Sequence, residues 1–211
     1  PMLMKENFEF LTLLKEKNPN CHIRVNSNLS TTATGIFELL CSFEHVHWTV
    51  SVESIEEEYN YIRHLGNWND FVKNLDVINK LDHKISFNML HFILNYKSIH
   101  NCIDFLKGKG FGDNSFIAGP LYNPPHLNTM NLPDTMLNNI IQSLKDKLDT
   151  HPQGYLKNSY ENLIKYYTTT NFNKNLKSFY YNLGKMDQRR NQNGRLIFSD
   201  LFNELDKHEL E

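Results

Sequence analysis

The stretch His47-Trp48-Thr49-Val50-Ser51-Val52-Glu53 decides how this chain folds. Side chains alternate along a β-strand, so His47, Thr49, Ser51 and Glu53 share one face, while Val46, Trp48, Val50 and Val52 share the other. Two more stretches read the same way. His22-Ile-Arg-Val-Asn-Ser-Asn28 groups Arg24, Asn26 and Asn28, and Ile85-Ser-Phe-Asn-Met-Leu-His91 groups Ser86 with Asn88. Placed side by side, such strands merge their polar rows into one concave wall. A barrel interior is ordinarily filled with branched apolar residues, so a polar wall points to a ligand lying against it.

Outward from these strands, helix signals fill the gaps. Phe8, Leu11 and Leu14 predict a helix over 4–17, stopped at Asn18-Pro19. A short helix is expected near 34–42. Trp68, Phe71, Val72, Leu75 and Ile78 form one helical stripe, with Asn67 or Asn69 as its cap. A strand over 85–94, a helix over 97–107 closed by Gly108 and Gly110, and a strand over 115–121 follow. A helix between each pair of strands marks parallel βαβ units. An open polar loop, 122–133, holds Pro124-Pro125. Beyond it only helices are predicted, near 133–149, 157–168, 173–184 and 196–209, with a break at His151-Pro-Gln-Gly154.

The expected fold is therefore α/β: a partial (β/α) barrel with a mostly parallel, curved sheet of four strands over 1–132, and a C-terminal helical extension over 133–211. The leading strand has no predicted outer neighbour. Its edge should be short and covered, or sticky enough to form a homo-oligomer.

At 211 residues the chain can bury a sizeable core. Its formal net charge of −2 gives no general attraction to nucleic acid or to acidic membranes. No apolar run reaches the roughly 20 residues that span a bilayer, and no signal-peptide pattern opens the chain. Cys21, Cys41 and Cys102 are odd in number and far apart, which fits a reducing cytoplasm and neither a disulfide framework nor a cysteine-built metal site. The abundance of Asn reads as base composition rather than mechanism. A chain that opens Pro1-Met2 has either lost an initiator Met or been cut from a longer protein.

Several groups invite chemical readings. His45 and His47 have the spacing of strand-borne metal ligands, but a site needs further His and Asp ligands on later strands and only His91 is roughly placed, so no metal site is expected. Glu53 reads either as a general base or as a strand-end carboxylate paired with Arg63 or Lys84. Asn26, Asn28 and Asn88 serve either a ligand or turn and strand-end backbone groups. The stretch 157–195 mixes Lys and Arg with five tyrosines, as peptide or nucleic-acid binders do, but packing of the tyrosines explains it better. Gly108-Lys-Gly110 is a helix stop rather than a phosphate loop. Asp187 is expected to pair with Arg189 or Arg190 and tie the tail to the sheet.

Four motifs carry a resemblance: Arg24-Val-Asn-Ser-Asn-Leu, Trp48-Thr-Val-Ser-Val-Glu-Ser, Tyr61-Ile-Arg-His-Leu-Gly-Asn-Trp and Met186-Asp-Gln-Arg-Arg-Asn-Gln-Asn. Together they resemble the twitch-type radical S-adenosylmethionine proteins, with Pro1-Met-Leu resembling the residues at that family's Gly-Gly-Glu-Pro strand end. The resemblance implies a cofactor, S-adenosylmethionine, beside a [4Fe–4S] cluster, and hydrogen abstraction from an unknown substrate by a 5′-deoxyadenosyl radical. It implies cofactor contacts from Ser27, Asn28, Ser51, Glu53, Arg63 and Asn88, with Arg63 on the methionine carboxylate. The family's CxxxCxxC triplet is missing, and a cluster needs thiolate ligands. The expectation is thus a portion of a radical enzyme, inactive alone. A non-catalytic nucleoside-binding module and a protein-interaction module are the alternatives. In the family reading, Arg63→Ala abolishes cofactor binding and leaves melting nearly unchanged.

Overall fold

A computed structural model describes residues 5–30, 35–150 and 153–208. Four strands, β1 (Ile23–Ser27), β2 (Val46–Ser51), β3 (Lys84–His91) and β4 (Phe116–Pro120), form one sheet in the order β1-β2-β3-β4. All three pairings are parallel. Helix α1 (Lys5–Lys17) precedes β1, and α2 (Ile36–Cys41), α3 (Glu56–Ile62), α4 (Trp68–Asn79) and α5 (Ile99–Gly108) occupy the connections. After β4 come α6 (Asp134–Thr150), α7 (Gly154–Thr169), α8 (Leu176–Arg190), α9 (Gly194–Ile197) and α10 (Ser199–His208).

Trp48, Val50, Val52, Phe87, Met89 and Phe116 are fully buried on the helix-covered face, with Phe71, Leu75 and Ile78 of α4 and Ile99, Cys102 and Leu106 of α5 in the same core. Aromatic contacts knit this layer: Phe37 meets Trp48 at 5.8 Å and Phe87 stacks on Phe116 at 5.5 Å. Each new strand joins beyond the last, and right-handed crossovers in an order that never reverses put their helices on one face. The other face is left without that cover.

Asparagines punctuate the helices. The side chains of Asn67, Asn175 and Asn193 accept the backbone amides of Asp70, Ser178 and Leu196 at the starts of α4, α8 and α9. Gly110 takes φ 97°, which supports the helix stop after α5.

Five expectations change. β3 ends at His91 instead of running to 94, because the Asn95 side chain folds back: it accepts the Phe92 amide (2.8 Å) and donates to the carbonyls of Leu90 (2.8 Å) and Glu53 (2.9 Å). The segment 122–133 is not open; Asn128, Thr129 and Asn131 are buried in it, and Asn128 donates to the Leu121 carbonyl (2.7 Å) and the Tyr166 hydroxyl (2.8 Å). α8 runs to Arg190, ending where Asn191 turns left-handed. The last helix is two, α9 and α10, interrupted at Phe198. Asp187 ties the tail down through the Tyr61 hydroxyl (2.7 Å) and the Gly194 amide (3.0 Å), not through Arg189 or Arg190; Arg190 instead donates to the Tyr61 carbonyl (3.1 Å). The Pro1-Met2 opening and His151-Pro152 lie outside the described residues.

The C-terminal helices close the β4 side of the sheet. The Ala118 amide donates to Ser159 Oγ on α7 at 2.9 Å, satisfying a group on the outer edge of β4. At the end of β3, buried His91 accepts from the Tyr167 hydroxyl through Nδ1 (2.6 Å) and donates to the Tyr96 carbonyl through Nε2 (3.1 Å). The carbonyl has no proton to give, so it fixes which nitrogen carries the hydrogen. No helix among the described residues is long and apolar enough to cross a membrane.

Candidate functional site

Register turns the alternation of the strands into a surface. Asn26 pairs with Thr49, Thr49 with Ser86, and Ser51 with Asn88, so these five side chains lie in two adjacent rows on the uncovered face. Asn26 and Asn88 are exposed and Thr49 and Ser51 half-buried. A parallel sheet normally hides both faces under apolar cover. Here one face offers hydroxyls and amides, flanked on the β4 side by exposed Ile117 and partly exposed Leu90.

At the end of β1 the chain is held tightly. Ser27 Oγ accepts the Leu29 amide at 3.0 Å, and Asn28 Oδ1 accepts the Ser30 amide (3.2 Å) and hydroxyl (2.8 Å). The Asn28 carbonyl takes the Tyr59 hydroxyl (3.2 Å) and the Leu29 carbonyl takes Asn74 Nδ2 (2.7 Å). Leu29, wholly buried, sits at φ 51°, a conformation costly for a residue with a Cβ. Four side chains therefore impose a turn that the local sequence disfavours. Burial pushes the Tyr59 phenol up to about 12, so it remains a donor.

Glu53 and Arg63 form the second anchor. Arg63 grips both carboxylate oxygens, Nε to Oε2 at 2.7 Å and the terminal nitrogen to Oε1. Glu53 is 4% exposed; burial raises its carboxyl above the usual range, against the pull of the Arg63 guanidinium. Of the two sequence readings for Glu53, the structure contains the ion pair with Arg63.

The six candidate residues thus divide. Ser51 and Asn88 stand side by side on the open face. Ser27 follows the phase of buried Val50, its register partner, and spends its hydroxyl on the turn. Asn28 caps that turn with its carbonyl oxygen, and Glu53 and Arg63 occupy each other. No family model, curated protein or solved structure matches this chain. The resemblance to radical S-adenosylmethionine proteins stands on the quoted motifs alone.

The thiols do not fit an iron–sulfur cluster. Cys21 precedes β1, Cys41 ends α2 and Cys102 is buried within α5. Burial pushes the Cys41 thiol up to about 11 and raises Cys102 as well, whereas a cluster takes thiolates. Among the described residues no three His, Cys, Asp or Glu side chains are placed to hold a metal ion. The three histidines are engaged separately: His45 stacks on His22, His47 meets Ser86 Oγ at 2.9 Å, and His91 is buried against Tyr167.

The tyrosines of 157–195 mostly pack. Tyr160 and Tyr167 are buried, and Tyr181 alone of the five is strongly exposed. Lys157, Lys174 and Arg195 face Glu161, Asp134 and Asp206. Asn74, Asn95 and Tyr59, which shape the site, escaped the sequence reading. They act on backbone groups far along the chain, and no local pattern marks that. The sequence offers Lys84 as a partner for Glu53, whereas its register with His47 puts it on the open face.

Proposed function

We propose that the sheet is an arc of a (β/α) barrel and that its uncovered polar face binds a nucleoside-type ligand of the S-adenosylmethionine class. The observation that carries this reading is the pairing of Ser51 with Asn88 on the open face of a parallel sheet, beside the C-terminal ends of the strands. Ligands of α/β sheets collect at that end. The Ser51 hydroxyl and the Asn88 amide supply donors and acceptors for a ribose or an amino-acid end. Glu53 and Arg63 hold the wall, and the Leu29 turn fixes the end of β1.

In the wider form of the proposal the chain is a portion of a radical S-adenosylmethionine enzyme. A bound cluster would supply the electron for cofactor cleavage; the residues here do not fit one, so their share is to bind and orient the cofactor and to exclude water from it.

Calorimetric titration with S-adenosylmethionine tests the binding step. Saturable binding is expected, weakened about tenfold by Ser51→Val, the equivalent of one net hydrogen bond of about 1.4 kcal/mol. Asn88→Leu, also on the exposed face, should weaken it by a similar factor. No saturable heat with S-adenosylmethionine or adenosine, or affinities untouched by both substitutions, would overturn the proposal.

A further inference from the structure

At the N-terminal end of the same face, away from Ser51 and Asn88, three basic side chains share one row. Arg24 pairs in register with His47, and His47 with Lys84. Strands about 4.8 Å apart place the outer two about 10 Å from each other, with the imidazole between them. The row floors a cleft of about 450 Å³ that His22, His45 and Asp82 also line. His22 and His45 stack at 4.6 Å with their planes 10° apart, and His47 is held by Ser86 Oγ at 2.9 Å.

The charge of this row is not a by-product of a basic chain, since the net charge is −2. Among the described residues no carboxylate pairs with Arg24 or Lys84, although both are exposed. The acidic lining residues are not paired with it: Glu44 lies 4.0 Å from His45 and is largely exposed, and among the described residues Asp82 forms no ion pair with Arg24 or Lys84. The His47 imidazole titrates below the ordinary value, through burial first and then through the charges of Lys84 and Arg24. Two like charges held on one sheet row with an imidazole between them suit an anion with several oxygens, which a guanidinium and an ammonium grip in different ways.

We propose that this cleft binds a phosphate-bearing small molecule, its phosphoryl oxygens bridged by the Arg24 guanidinium and the Lys84 ammonium above the His47 ring. The volume suits a small ligand. A nucleic-acid chain fits less well, because a chain of net charge −2 offers no general attraction to a continuing phosphate backbone. The site stands apart from the one proposed for S-adenosylmethionine, and neither depends on the other.

Calorimetry with sodium pyrophosphate at low salt, on the full chain, tests the assignment. Saturable binding is expected, weakened at least tenfold in Arg24→Gln/Lys84→Gln and retained in Lys145→Gln/Lys177→Gln, which removes the same charge elsewhere. Both cleft residues are exposed, so the double variant should melt with the wild type, and circular dichroism checks this. Absence of saturable binding overturns the proposal, as does binding that survives the double substitution at the cleft. Single-stranded RNA retained through Arg24 and Lys84 when pyrophosphate is not bound would overturn it as well.

Discussion

The side chain whose meaning changes most between sequence and structure is Arg63. Read as a clamp for a ligand carboxylate, it should be removable at little cost to stability. In the structure it neutralises Glu53, a carboxylate 4% exposed at the end of β2. Removing one partner of a buried pair leaves the other charge without compensation, at about 3–5 kcal/mol. The Arg63 side chain keeps 26% of its exposure, so water screens part of that loss and about 2–3 kcal/mol is expected for Arg63→Ala. Adding Glu53→Gln to that variant should return more than half of the loss, since no buried charge then remains. Urea unfolding of the two singles and the double closes the cycle, and an Arg63→Ala protein as stable as wild type would refute the pairing's structural role. The asparagines make the same point. Asn74, Asn95, Asn128 and Asn131 are buried and bind main-chain groups, some more than 40 residues away. Composition counts such residues without showing which carbonyl each one serves.

At the level of elements, alternation and helical spacing located all four strands, because those patterns arise from burial of one face and the sheet does bury one face. What stayed hidden came from long-range contacts. The end of β3 is set by the Asn95 side chain, the turn at Leu29 by Tyr59 and Asn74, and the attachment of α7 by two histidines. Of the site, the polar rows were legible, and the Glu53–Arg63 pair was legible as one of two readings of Glu53; the turn at Leu29 was not. Those two histidines carry a pH prediction. His91 meets Tyr167 and His100 meets Tyr160 (3.2 Å), both tyrosines on α7. Burial, the leading cause for each, lowers both imidazoles from 6.5 to about 4. The unfolded chain therefore takes up protons that the folded chain refuses between those values, and stability is lost as pH falls through that window. Buried His91 alone accounts for up to about 3 kcal/mol at the acid end. Charges around the pair belong to Lys147 and Asp104, close to His100. Unfolding free energies at pH 7 and pH 5 should differ clearly in the wild type. His91→Gln should be less stable at pH 7 but lose less between the two, and an unaltered slope in that variant would show that His91 does not govern the acid response.

Across the whole molecule the two edges of the sheet are unequal. α7 covers β4 and takes up the Ala118 amide, whereas among the described residues β1 pairs with β2 alone. Beside β1 runs a groove of about 380 Å³, bordered by Phe10 and Leu11 of α1, Val25, and Ile36 and Leu40 of α2. Phe10 is 62% exposed and Leu13 of the same helix 54%. An uncapped edge next to exposed apolar side chains is a place for another strand to add. A second copy meets the requirement directly. A two-fold axis perpendicular to the sheet sets two β1 strands antiparallel, and a register centred on Val25 places each Arg24 opposite an Asn26, so that no like charges face each other. The five residues of β1 offer few hydrogen bonds, which makes the flanking aromatic surface the larger contribution. Sedimentation should accordingly show association that strengthens with concentration. Phe10→Lys/Leu13→Lys, on an exposed helix face, should abolish it and leave the melting temperature in place. A wild-type chain that sediments as a monomer at every concentration, or a double variant that associates as well as wild type, would mean that the β1 edge is protected by its shortness alone.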